Sequence, residues 1–152
     1  MTYTTADGRT QLLDMLAEAV AEIGIALSSL GEAYEQLDEQ TGDRLEQELF
    51  RPVQAAYGKA QRTFGSFAER CGLPGRAFEQ APQGAPSTGA KGFIDLAVEA
   101  CARADQELAG LQDSMLPVEV GDAELRAGLR EVRELLDTVR VRAKALERTL
   151  GR

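Results

Sequence analysis

Residues 122–150, DAELRAGLREVRELLDTVRVRAKALERTL, decide the fold. Leu125, Leu129, Val132, Leu136, Val139, Ala143, Leu146 and Leu150 advance by 4-3-4-3-4-3-4. Alternating steps of three and four keep to one face of a helix, and Arg, Glu and Asp fill the opposite face. A repeat of seven, sustained over the whole run, predicts a helix packed against others in a gentle left-handed supercoil. Asp122, just ahead of the run, has the side chain that caps a helix start.

The same signature recurs upstream. Leu13, Leu16, Val20, Ile23, Leu27, Leu30, Tyr34 and Leu37 step by 3-4-3-4-3-4-3, and Ile94, Ala97, Cys101, Ala104, Leu108, Leu111 and Met115 by 3-4-3-4-3-4. Phe50, Val53, Tyr57, Ala60, Phe64, Phe67 and Cys71 form another series, which Leu45 and Leu49 join only through a 4-4 step to Val53. Such a stutter locally unwinds a supercoil. Here it coincides with Pro52, which cannot donate to the Glu48 carbonyl, so a kink is expected near residues 48–52.

Four seams predict an all-α antiparallel four-helix bundle in one domain, with helices over about 6–40, 44–71, 89–115 and 122–150. Thr5 is the expected cap of the first helix, Gly42 its left-handed end, Asp43 the cap of the second and Ser87 or Thr88 that of the third. Pro117 stops the third helix. Short turns near 41–43 and 116–121 make two helical hairpins. The connection between them, residues 72–88, carries Pro74, Pro82 and Pro86 with several glycines, and it is long for a compact domain. Fully extended it reaches about 60 Å, so it is compatible with a local reversal or with a crossover along the bundle. Phe78, its one aromatic, is expected to pin it to the helices and is a candidate interface residue.

Composition narrows function by exclusion. The 152 residues carry a formal charge of −8, which disfavours nucleic acid and anionic lipid surfaces as partners. No apolar run is long enough to span a bilayer, and MTYTTADGRT lacks the form of a signal peptide, so a cytoplasmic location is expected. Frequent Ala, Gly and Arg suggest a GC-rich bacterial genome. The chain has no His, which removes Ser-His and Cys-His nucleophile pairs, HExxH zinc sites and phosphotransfer through His. Two separated cysteines, Cys71 and Cys101, cannot build a zinc site, and both sit on apolar seams. No catalytic residue, metal ligand or cofactor site is expected.

Three local patterns are better explained by structure than by chemistry. Gly84-Ala-Pro-Ser-Thr-Gly89-Ala90-Lys91-Gly92 resembles a phosphate-binding loop, but its Lys comes one residue late and Gly92 stands where a hydroxyl would hold magnesium. Tyr34-Glu-Gln-Leu-Asp38 resembles the YxxxD tag of bacterial type VII secretion substrates. The Trp-x-Gly turn of that family is missing from a chain without Trp, and Tyr34 already belongs to a core seam. Glu18 with Glu22, and Glu35 with Glu39, share helix faces off the seam and read as solvated acid.

Charge is unevenly spread. Residues 7–43 hold nine acids against Arg9 alone, and residues 124–152 eight bases against five acids. In a simple bundle the first and last helices are neighbours, so these flanks are expected to complement each other. The slim stripe Ala97, Cys101 and Ala104 on the third helix, set against Tyr57, Phe64 and Phe67 on the second, is expected to pack as a dry core. Tyr57, Phe64, Ala97, Cys101 and Ala104 would line a tunnel for an apolar ligand were that packing incomplete. Ile25 lies opposite the seam of the first helix and is a candidate subunit contact. The reading that remains is a non-catalytic interaction or regulatory module that binds a protein partner or a second copy of itself; the alternative is a carrier or sensor of an apolar ligand held between the second and third helices.

Overall fold

The computed structural model describes residues 4–80 and 84–150, the side chains of Pro86 and Leu150 excepted, so the places of Leu150 and Pro82 lie outside the description. The described chain is all-α, without a strand: α1 (Thr5–Glu35), α2 (Glu39–Leu45), a π-helical turn (Glu46–Phe50), α3 (Arg51–Arg70), a 3-10 turn (Pro86–Thr88), α4 (Gly89–Asp113), α5 (Leu116–Glu119) and α6 (Ala123–Leu150). Four rods result, because α2, the π turn and α3 run on as one.

Caps explain the boundaries. Thr4, not Thr5, opens α1, its hydroxyl accepting from the Asp7 N–H at 3.1 Å. The first inter-helix turn falls at 36–38 rather than 41–43. Asp38 offers the chemistry expected of Asp43, accepting from the Thr41 N–H at 2.8 Å and the Thr41 hydroxyl at 3.1 Å. Those bonds hold its carboxyl below the usual range. Gly42 therefore stays inside α2, and its missing Cβ serves a different end: one built there would sit 3.1 Å from the Tyr34 ring. Thr88 turns its hydroxyl back to accept from the Ala85 N–H at 3.1 Å instead of capping α4. Asp122 caps α6 as its position suggests, accepting from the Leu125 N–H at 2.8 Å, and the same carboxylate takes Arg70 through Nε at 2.8 Å and Nη2 at 2.9 Å. This bidentate pair ties the end of α3 to the start of α6 and lowers the Asp122 carboxyl pKa.

Where a kink was expected near 48–52, the structure has the π turn. The Arg51 N–H reaches back five residues to Glu46 O. Gln47 O is thereby skipped, and the next donor in line is Pro52, which has none. Glu48 O faces the same vacancy. Arg142 of α6 supplies the missing donors, its Nη1 lying 3.4 Å from Gln47 O and 3.5 Å from Glu48 O, while its Nε stands 3.7 Å from the Glu48 carboxylate. One extra residue per turn absorbs the 4-4 step and keeps Leu45, Leu49 and Val53 all buried.

Contacts fix the arrangement of the rods. α1 packs on α3 and α4, and α6 also packs on α3 and α4. α1 and α6 are diagonal, as are α3 and α4, with no backbone contact across either diagonal. Glu22 meets Arg103 and Glu18 meets Glu107, Gly24 meets Tyr57 and Leu13 lies by Phe64, and Lys59 meets Glu131 while Arg70 meets Asp122, so numbers fall on one rod as they rise on its neighbour and every adjacent pair is antiparallel. In chain order the directions are up, down, down, up. The connection after α3 must therefore return along the bundle, a rise comparable to the roughly 37 Å of α4. It crosses over and does not reverse locally.

This arrangement corrects two expectations. The acidic first helix and the basic last helix do not share a seam, because a second stripe on α1 claims α4 instead. Leu12, Ala19, Ala26 and Ala33 recur every seventh residue and are fully buried. They flank Glu22, on the side that reaches Arg103. Ala100 and Ala104 of α4 are equally buried. Small side chains on both helices let the axes approach, and this is the most extensive contact in the bundle. The stripe Ala97, Cys101 and Ala104 accordingly has α1 and α6 as neighbours rather than the aromatic rod.

Two residues placed on seams by their spacing lie outside the core. Tyr34 is 41% exposed, since α1 ends one residue later and its ring leans on Gly42. Met115 is 48% exposed and left-handed, with φ 66°, in the tight corner between α4 and α5. A side chain in that conformation costs about 1 kcal/mol. Met115→Gly is therefore expected to raise the thermal midpoint, because it loses strain and little packing; a lowered midpoint in a melt followed by circular dichroism would contradict the assignment.

Candidate functional site

Three groups of side chains are candidates for chemistry beyond packing. The first straddles α1 and α4. Glu22 accepts from Arg103 Nε at 2.9 Å, and one turn further along α4 Glu107 shares a hydrogen bond with Glu18. Partial burial pushes the Glu107 carboxyl up to about 7, with the Glu18 hydrogen bond and the charges of Glu18 and Glu22 acting in the same sense and Arg103 against them. A raised carboxyl pKa favours the folded state below the ordinary carboxyl range, and that contribution is lost as pH rises through about 7. Glu107→Gln is expected to be more stable than the natural chain at pH 8 and to flatten the decline in melting temperature between pH 5.5 and pH 8. An unchanged slope would show that Glu107 ionises as an ordinary surface acid.

The second group is the set of pocket candidates. Tyr57 and Phe64 lie on α3, and Ala97, Cys101 and Ala104 on α4, diagonally across the bundle. The structure does not gather the five around one cavity. Phe64, 1% exposed, packs towards α1 and the crossover segment. Cys101 borders a cleft of about 200 Å³ between α4 and α6, floored by Val98, Leu136 and Val139. Burial pushes its thiol pKa to about 12, which leaves it a small core residue without thiolate character. Cys71 is half-buried at the end of α3, and both sulfurs are free. Ile25 is half-buried against the core rather than freely exposed. A wider cleft of about 470 Å³ opens between α3 and α6, where Lys59 is matched by Glu131 at 3.1 Å and Arg70 by Glu124 at 2.6 Å.

The third group is the groove between α1 and α3, into which the crossover segment lays its side chains. Phe78 stands edge-on to Phe64, with ring centroids 5.4 Å apart and planes at 85°. The Arg76 guanidinium lies 5.5 Å over the Phe64 ring and pairs with Asp14. The Tyr57 hydroxyl is buried without a hydrogen bond of normal geometry among the described residues. Burial raises its pKa, with the side chains of Gln80 and Gln61 opposing. Phe78 could be suspected from the sequence as the loop's one aromatic. Asp14 and Arg76 could not, because no periodicity links a helix acid to a loop base.

Among the described residues no cluster of three or more His, Cys, Asp and Glu side chains has a metal-binding arrangement, and no helix is long and apolar enough to cross a membrane. Comparison with protein-family models, with curated proteins and with solved structures gives no significant match.

Proposed function

We propose that this chain is a non-catalytic interaction module that presents the acidic face of its first two helices to a basic protein partner. The observation that carries this reading is the fate of the acids in residues 7–43. Within the described fold, Asp14 pairs with Arg76 and Glu22 with Arg103. Asp7, Glu18, Glu32, Glu35, Glu39 and Asp43 stay exposed, and α6, which carries most of the clustered cations, does not pack on α1 or α2. A single-sign surface on a rigid support accelerates and orients the approach of a partner of opposite sign.

The test uses the full chain as bait. Proteins retained from extract of the source cell are compared with those retained by a Glu32→Lys/Glu35→Lys variant, at 50 mM and at 500 mM salt. A specific basic protein held by the natural chain, released by salt and missed by the charge-reversed variant is the expected result. Identical retention by both chains would overturn the reading.

A further inference from the structure

The crossover segment is held by side chains and hardly at all by its backbone. The Leu73 N–H donates to Ala68 O at 2.8 Å, which finishes α3. From Pro74 to Gln80 the main chain makes no hydrogen bond with the rest of the described residues. Two anchors seat the segment. Arg76 is held from two directions, by the Asp14 carboxylate and by the Phe64 ring, and Phe78 meets the same ring in a T-shaped arrangement. The fit is incomplete. A cavity of about 90 Å³ remains between Thr10, Leu13, Phe64 and the segment. Further along the groove the Tyr57 hydroxyl, on a residue only 6% exposed, has no hydrogen bond of normal geometry among the described residues, although the side chains of Gln61 and Gln80 lie beside it. A buried hydroxyl met so loosely gains from an incoming carbonyl or amide of better geometry.

We propose that the groove between α1 and α3 recognises an extended peptide segment of a partner protein, one carrying an arginine and, two residues later, an aromatic ring, and that residues 72–80 fill the groove in cis as a built-in competitor. The inference rests on the interaction reading above and gives its partner a chemistry. The chain's own Arg76-Ala77-Phe78 shows what the groove accepts: a guanidinium sandwiched between carboxylate and ring, then an edge-on aromatic. Charge points the same way, because Asp7 and Glu18, seven before and four after Asp14, share its helix face and are exposed. The principal interfaces of the bundle, α1 on α4 and α3 on α6, are made between helices and do not involve the segment. A tethered occupant competes at an effective concentration in the millimolar range, so the natural chain masks its own groove until the anchors are weakened or outcompeted.

The probe is a fluorescein-labelled peptide, GLPGRAFEQ, the sequence of residues 72–80. Its anisotropy is titrated with the full natural chain and with the Arg76→Ala/Phe78→Ala variant. The variant, helical by circular dichroism, is expected to bind at least about tenfold tighter than the natural chain, as removal of a tethered competitor requires. A control peptide with alanine at both anchor positions should bind neither protein. Adding Asp14→Asn to the variant should weaken the labelled peptide by about twofold to fivefold, the value of an exposed ion pair. Equal binding by natural and variant chains, equal binding of the control peptide, or indifference to Asp14→Asn each overturns the proposal. Should the double variant lose its helicity, Arg76→Ala alone is titrated under the same criteria. Glu32 and Glu35 lie about 27 Å or more from Asp14 along α1, so charge reversal there leaves the groove intact and the two readings fail separately.

Discussion

Phe64→Ala is expected to cost the bundle about 3–5 kcal/mol, the range for deleting a fully buried aromatic whose surroundings relax only in part. Four partners would lose their contact at once. Leu13 and Thr10 of α1 border the same cavity, Phe78 loses the ring it stands against, and Arg76 loses the face beneath its guanidinium. Two readouts separate the consequences. Chemical denaturation should show a lowered midpoint with a cooperative transition. Limited proteolysis should show faster cleavage after Arg76 under conditions where the natural chain resists. Loss of stability without faster cleavage there would mean that Phe64 is a core residue with no part in seating the crossover segment.

Gly128 marks the closest approach of α6 to α3, and filling it is the second large change. A Cβ at that position would fall 2.4 Å from the Thr63 hydroxyl oxygen and 2.8 Å from its methyl. Thr63 cannot swing away cheaply: it is 7% exposed and its hydroxyl donates to Lys59 O at 2.7 Å. Alanine in place of glycine normally stabilises a helix interior by about 1 kcal/mol. Here overpacking of about 1–3 kcal/mol opposes it, so Gly128→Ala should be destabilising overall and Gly128→Val more so. Thr63→Ala removes the two nearest atoms and leaves a Cβ at 3.1 Å. The double variant Gly128→Ala/Thr63→Ala should therefore recover part of the loss, giving a positive coupling in a double-mutant cycle. Additive effects would place the two side chains out of contact.

The seams of α3 and α6 were plain in the sequence because each rod buries one stripe, and a single stripe is what a 3-4 pattern encodes. α1 buries two. Its second stripe of Ala19, Ala26 and Ala33 was present as a seven-residue repeat of small residues, but alanine is too common on exposed helix faces for its spacing to stand out. The choice of neighbours depended on that stripe, so the charge complementarity expected of the first and last helices was assigned to the wrong pair. The turn near 40 was ambiguous for a related reason. Asp38 and Asp43 offer the same capping group, and only the tertiary packing of Tyr34 on Gly42 decides between them. Pro52 was legible because its missing donor is a covalent fact, whereas the answer to it, Arg142, lies 90 residues away. The groove residues Asp14 and Arg76 are separated by 62 positions and meet only because the connection crosses over. A 17-residue segment is compatible with either path, so length alone could not choose.

The crossover also governs how the polypeptide can acquire its structure as it is made. α1 and α3 emerge first, but the most extensive interface in the molecule belongs to α1 and α4, typified by Glu22 and Arg103, 81 positions apart. A newly synthesised amino-terminal hairpin would thus wait with its alanine ridge bare, at translation rates of about 5–20 residues per second, for several seconds before its principal mate leaves the ribosome. Such dependence on distant pairing slows assembly relative to a meandering bundle of equal length. It also makes each half of the chain a poor candidate for independent existence.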